Sequence, residues 1–147
     1  MASVVVVRRI NAPADVVFHI VADPNRFAKA IAGVTKLEFL SKTTTGVGTR
    51  FRQTRVMKGK SSTMDFDVTE YVKNQRVRIV NETDGNVWDS VFTVAPDGNA
   101  TTLTMRMDTK SEKLFPRIMM PLICILIRKA VEGDLDAVKA ACERHGS

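Results

Sequence analysis

Between Val34 and Lys110 the chain alternates apolar and polar residues with a period of two, and turn residues interrupt it at regular intervals. Period two is the pattern of strands with one buried face. The segments read as residues 34–41, 47–57, 61–72, 76–83, 87–95 and 100–109. The breaks are Gly46-Val47-Gly48, Lys58-Gly59-Lys60, Lys73-Asn74, Asp84-Gly85 and Pro96-Asp97-Gly98-Asn99. Two of them contain Asp-Gly, the strongest short-range hairpin signal. Successive hairpins make an antiparallel meander, and few folds accommodate one of this length.

Hairpin turns also fix register. A two-residue turn at Lys58-Gly59 pairs Arg52 with Asp65 and Arg50 with Asp67, two opposite-sign pairs suited to a solvated face. The other face of that hairpin then carries Phe51, Gln53, Arg55 and Met57 against Ser62, Met64 and Phe66. A two-residue turn at Asp84-Gly85 pairs Asn81 with Trp88, Ile79 with Ser90 and Val77 with Phe92. One at Asp97-Gly98 pairs Phe92 with Leu103, Ser90 with Met105 and Trp88 with Met107. All three turns put the large apolar residues on one face. Isolated polar side chains share that face: Gln53, Arg55, Ser62, Asn81 and Ser90. Each needs a partner, a water or a ligand, and a few polar groups in an apolar concave wall is how small-molecule sites are built.

The meander is flanked by helical signals. A valine-rich strand, residues 3–10, stops at Asn11-Ala12-Pro13, where Pro pre-sets a helical first turn and Asn is placed to cap it. Asp15 follows in the first turn, and Val16, Val17, Ile20 and Val21 give this short helix its buried side. Asp23-Pro24 breaks it, and residues 27–31 read as a second short helix ending at Gly33. At the other end, residues 111–144 read as one long helix. Cys124, Ile127, Val131, Leu135, Val138 and Cys142 recur three or four apart, on one helical face. Lys129, Gly133, Asp136 and Ala140 lie opposite. The run from Ile118 to Ile127 is apolar all round, so it needs apolar surroundings on more than one side. Pro116 and Pro121 delay or kink the helix where it leaves the last strand.

This order resembles the helix-grip fold of the START / birch-pollen-allergen (SRPBCC) superfamily, most closely its polyketide cyclase/dehydrase-like branch. The residues that carry the resemblance are Ile10-Asn11-Ala12-Pro13, Val17-Phe18, Ala22-Asp23-Pro24, Phe27 and Ala32-Gly33-Val34. It continues through Gly46-Val47-Gly48-Thr49-Arg50-Phe51, Val68-Thr69-Glu70-Tyr71 and Glu132-Gly133-Asp134-Leu135. It spans nearly the whole chain; no single motif is specific, but the order and spacing are. Members often carry a Trp in the second short helix, where this chain has Ala30-Ile31. The resemblance implies an α+β fold: a curved seven-stranded antiparallel sheet wrapped on the C-terminal helix, two short helices between strands 1 and 2, and a cavity for apolar molecules. Members include carriers, receptors and cyclases, so the fold leaves function open.

A single domain, residues 1–147, is expected, with no linker, repeat or low-complexity segment. The two cysteines, Cys124 and Cys142, are separated by about 27 Å of helix, beyond disulfide reach. Two Cys and two His make no metal cluster, and neither a metal nor a cofactor is expected. The net charge of +6 invites a nucleic-acid reading, but Asp65, Asp67 and Asp89 offset much of the outer-face Arg. Tyr71 is the only outer aromatic, so a stacking platform is lacking; nucleic acid is not an expected partner. No basic-then-apolar leader precedes the first strand, and the cytoplasm is the expected location.

The expected ligand is a hydrophobic small molecule: a lipid, a polyketide or another aromatic or apolar compound. The expected ligand-binding residues are Gln53, Arg55, Met64, Phe66, Asn81, Trp88, Ser90, Met105, Met107, Ile127 and Val131. Met57 adds to an adaptable, methionine-rich wall. Arg55, opposite Ser62, either meets a ligand carboxylate or snorkels out at the hairpin end. No catalytic residue is assigned: His19 and His145 lie off the inner face, and Glu70, the one acid on an inner sheet row, lies near a strand end. Catalysis is therefore the less favoured reading, and the alternative is an enzyme of the polyketide cyclase/dehydrase type. Gly46-Val47-Gly48 reads as a cavity rim. The run from Ile118 to Ile127 is expected to wall the cavity, and it is also a candidate for transient contact with a membrane or a second copy.

Overall fold

The structure, a computed structural model, describes residues 2–83, 85–111 and 120–145. The valine run of β1 (Ala2–Ile10) alternates as its period demands, with Val4 and Val6 buried and Val5 and Val7 facing solvent. Helix α1 (Ala14–Ala22) carries Asp15 in its first turn, where a carboxylate suits the helix dipole. Pro13 occupies the N-cap and no side chain caps the helix. The cap expected from Asn11 does not form, because Asn11 lies two positions upstream; its backbone N–H donates instead to Glu143 Oε2 at 2.9 Å. Helix α2 (Pro24–Ala30) is capped by Asp23, which accepts from the N–H groups of Asn25 and Arg26 at 2.9 and 3.4 Å. Pro24, in the first turn, starts this helix three residues earlier than the apolar pattern indicated.

Gly33 ends the turn after α2 with φ +89°, and a Cβ there would lie 2.4 Å from Val56 O. Only glycine allows that approach. The meander follows: β2 (Val34–Phe39), β3 (Arg50–Met57), β4 (Lys60–Val72), β5 (Arg76–Thr83), β6 (Asn86–Asp97) and β7 (Ala100–Ser111). Among the described residues these strands form one antiparallel sheet in the order β1-β7-β6-β5-β4-β3-β2. The first hairpin has the expected register, Arg52 opposite Asp65 and Arg50 opposite Asp67. So does β5–β6, with Asn81 opposite Trp88 and Val77 opposite Phe92.

Two details depart from expectation. The β6–β7 turn is Gly98-Asn99, flanked by the pair Asp97 and Ala100, so Phe92 faces Met105, Ser90 faces Met107 and Trp88 faces Thr109. That is a slip of two residues, which moves every pair but keeps every side chain on its face. In β4 a bulge between Val68 and Glu70 inserts one residue and inverts the alternation beyond it. Tyr71 therefore turns inward, packing edge-on against Phe18 at 5.3 Å between centroids. Glu70 turns outward, 3.0 Å from Arg76 Nε. Unbroken alternation along the sequence places both on the opposite faces.

Helix α3 (Met120–His145) closes the fold. Ser111 belongs to β7, paired with Asn86, rather than to the helix; Pro116 and Ile118 lie outside the described residues. Val131, Leu135, Val138 and Cys142 are buried in one core cluster with Val4, Ile10, Val17, Val21, Phe92 and Leu103. Burial pushes the Cys142 thiol up to about 11, and Glu143 adds to the rise. The helix also covers the free edge of β1: Arg128 donates to Val5 O at 3.0 Å and Lys139 to Arg9 O at 2.7 Å. Arg8 reaches the helix at Asp136 (2.7 Å) and Glu132 (3.3 Å). Among the described residues no helix is long and apolar enough to cross a membrane.

The outer sheet face carries cross-strand ion pairs, Arg52–Asp65 at 2.7 Å and Arg78–Asp89 at 2.6 Å. Hydrogen bonds from Arg78 hold the Asp89 carboxyl below the usual range, against the opposing pull of partial burial; Arg52 acts likewise on Asp65. A carboxylate whose folded pKa is depressed stabilises the fold above its unfolded pKa, and that contribution is lost as pH falls through the folded value. Urea unfolding should therefore show stability declining below about pH 4. Asp89→Asn should flatten that decline and cost about 1 kcal/mol at pH 7, after allowance for solvent screening. An unchanged pH slope in the variant would remove the pair from the acid response.

Candidate functional site

The curved sheet and α3 do not meet everywhere, and a cavity of about 310 Å³ lies between them. Strands β3 to β7 contribute through their inner rows. Phe51, Gln53 and Arg55 come from β3, Met64 and Phe66 from β4, and Ile79 from β5. Trp88, Ser90 and Phe92 come from β6, and Met105 and Met107 from β7. Helix α3 supplies Ile127, Ala130, Val131, Asp134 and Leu135; Phe27 of α2 and Ile31 just beyond it close one side. The rings support one another: Phe51 stacks on Phe66 at 5.2 Å, and Phe27 meets Phe92 edge-on at 5.6 Å. Of the Ala30-Ile31 pair, Ile31 lines this cavity and Ala30 does not.

Of the eleven expected site residues, all but Asn81 lie on this wall. Asn81 is buried, and its Nδ2 donates to the Asp65 carbonyl at 2.6 Å, so it serves the main chain of β4. Two further inward assignments fail. Ser62 is exposed and Met57 is 44% exposed, because both lie near the tip of the β3–β4 hairpin, beyond the cover of the helix. Gly46-Val47-Gly48 is not on the wall. It is held to β4 instead, with Gly48 N donating to Val68 O at 3.2 Å and Val68 N to Thr49 O at 2.9 Å. His19 is exposed on α1, beside a separate hollow shared with Asp15 and Tyr71. The side chain of His145 lies outside the described residues.

Arg55 neither snorkels out nor waits for a ligand carboxylate. Its terminal nitrogens form a fork on Asp134, Nη2 to Oδ1 at 2.7 Å and Nη1 to Oδ2 at 3.0 Å, and Nε donates to Ala32 O at 2.8 Å. Both side chains are largely buried, 18% and 23% exposed. A bidentate charge-assisted pair is among the stronger polar contacts a protein makes. This one ties β3, the turn after α2 and α3 together beside the cavity. Asp134 is the polar wall residue absent from the expected set, which also lacks the apolar Phe27, Ile31, Phe51, Ile79, Phe92, Ala130 and Leu135. The available signal for Asp134 was its position three residues after Val131 on the cavity-facing stripe, with an inward Arg lacking a partner on the sheet.

The apolar start of α3 divides. Ile127 faces the cavity, and Cys124 packs on the core. Leu122, Ile125 and Leu126 are more than half exposed, so the run is only in part a cavity wall. Among the described residues no three of His, Cys, Asp and Glu converge on a metal site.

Removing Arg55 leaves the Asp134 carboxylate half-buried and unpaired. Arg55→Met and Asp134→Leu should each cost about 2 kcal/mol or more in chemical unfolding, and the double variant carrying both should recover part of that loss. Additive losses in this cycle would show that the two side chains are not coupled.

A sequence profile of the family described as "Polyketide cyclase / dehydrase and lipid transport" matches residues 1–143. No curated protein matches the chain in sequence. Among solved structures, the Thermus thermophilus protein TTHA0849 superposes with a TM-score of 0.82 at 20% identity, covering 99% of this chain and 100% of that one. A START superfamily protein from Mycobacterium smegmatis gives 0.81 at 17% identity, covering 97% of each chain. The Zhui aromatase/cyclase from Streptomyces sp. R1128 gives 0.76 at 18% identity, covering 97% of this chain and 94% of that one. At these identities the likeness is one of fold.

Proposed function

The chain belongs to the polyketide cyclase/dehydrase and lipid transport family, and on that premise we propose that it binds or transfers a hydrophobic small molecule in the cavity between sheet and α3. The carrying observation is the composition of the wall. It consists of aromatic, aliphatic and methionine side chains, interrupted by Gln53, Arg55, Ser90 and Asp134. Such a surface gains by excluding water around an apolar body, and its methionines adapt to irregular shapes. In this reading Gln53 and Ser90 orient the polar end of the ligand, Trp88 stacks on it, and Ile127 and Val131 press it from the helix side. The protein works in the cytoplasm and carries its cargo without a bound cofactor.

One observation favours a second reading, an enzyme of the polyketide cyclase/dehydrase type: two ionisable groups, the Asp134 carboxylate and the Arg55 guanidinium, do face the cavity. Acid–base catalysis requires a group free to exchange a proton with the substrate. Here both carboxylate oxygens are already taken by Arg55, which favours binding over turnover.

Trp88 is the sole tryptophan of the chain, so its emission reports on the cavity. Titration with the neutral apolar dye N-phenyl-1-naphthylamine should quench Trp88 and brighten the dye with one-to-one stoichiometry. Val131→Phe, which fills the cavity from the helix side, should weaken binding at least about tenfold while the far-ultraviolet circular dichroism stays native. A folded protein whose Trp88 is indifferent to the dye would overturn the reading. Turnover of a poly-β-ketone substrate would replace it with the enzymatic one.

A further inference from the structure

We infer that the cavity selects an uncharged, hydrogen-bonding aromatic ligand and rejects carboxylates, because the one cation on its described wall is neutralised from within the chain. This deepens the binding reading above and rests on it. An arginine in an apolar pocket ordinarily attracts an anionic ligand, since its fork matches two carboxylate oxygens. In this cavity Asp134 already holds that fork, and Ala32 O takes the third donor. A ligand carboxylate brought close to Arg55 would meet the like charge of Asp134 on the same part of the wall. It would also leave water for rings and methionines, with no uncompensated cation to offset the loss.

What the wall leaves open is neutral. Gln53 and Ser90 are half-buried and line the cavity, and among the described residues neither side chain has a hydrogen-bond partner. An amide and a hydroxyl each offer both a donor and an acceptor, so they match a hydroxyl, carbonyl or amide group. Each terminal nitrogen of Arg55 retains one N–H beyond the Asp134 fork, able to donate to a carbonyl oxygen without changing the charge of the site. Phe51, Phe66, Trp88 and Phe92 offer ring faces and edges, which favour a flat aromatic body. A volume of about 310 Å³ is at the small end of ligand cavities, suited to two or three fused rings.

The test is calorimetric titration at neutral pH with 2-naphthamide and 2-naphthoate, which share a shape and differ in charge. The protein should bind the amide at least about a hundredfold more tightly than the carboxylate. Asp134→Asn frees the Arg55 fork and should raise affinity for 2-naphthoate at least about tenfold. Equal affinities in the unmodified protein, or a preference for the carboxylate, would overturn the inference and leave the binding reading standing. So would a folded Asp134→Asn variant with unchanged affinity for 2-naphthoate. Failure of both naphthalenes and of N-phenyl-1-naphthylamine would overturn the binding reading and the inference together. The unmodified protein decides the main question even if the variant does not fold.

Discussion

A sheet of seven strands is about 29 Å wide, six gaps of roughly 4.8 Å, and one helix with its side chains is about 10–12 Å across. A single helix cannot cover the apolar face of such a sheet. Curvature narrows the mismatch, α3 packs on β1 at one end of the sheet, and α1 and α2 fill part of the remainder, α2 at the β2 end. Val17, Val21, Phe18 and Phe27 are the residues by which they do so. What is left unfilled is the cavity. It follows from the geometry of a wide concave layer closed by a narrow rod, and the identities of the lining side chains then determine what the space can accept.

Most of that architecture was legible because strand faces depend on parity. A turn at Asp97-Gly98 instead of Gly98-Asn99 shifts the β6–β7 register by two, yet it leaves Trp88, Ser90, Met105 and Met107 on the inner face. The bulge after Val68 had the opposite consequence. A single inserted residue exchanged Glu70 and Tyr71 between inside and outside, and nothing in the local alternation announces it. Errors of two residues are invisible to a face assignment, whereas errors of one are fatal to it. Burial at the hairpin tip was equally hard to read, because Ser62 and Met57 keep the correct parity but lie beyond the reach of the helix.

The polar part of the site was less legible than the apolar part. Gln53, Ser90 and Arg55 follow from strand register, a local property. The partner of Arg55 comes from α3, 79 residues later, and no periodicity links the two. An inward-facing arginine implied that a partner must exist, without saying whether the chain or a ligand would supply it. The structure assigns that role to Asp134, and the chemical character of the cavity changes with it, from cationic to neutral.

The contacts of α3 with β1 have a further consequence. Open sheets expose unpaired main-chain groups on their first and last strands, and those groups can recruit a strand from another molecule. Arg128 and Lys139 occupy the carbonyls of Val5 and Arg9 along β1, so the helix that closes the cavity also shields this border of the sheet. At the other border, β2 is only six residues long and carries the paired charges of Lys36 and Glu38. Short length and charge discourage strand addition there. Both borders of the sheet are thus protected against edge-to-edge polymerisation, one by a covering helix and the other by brevity and charge.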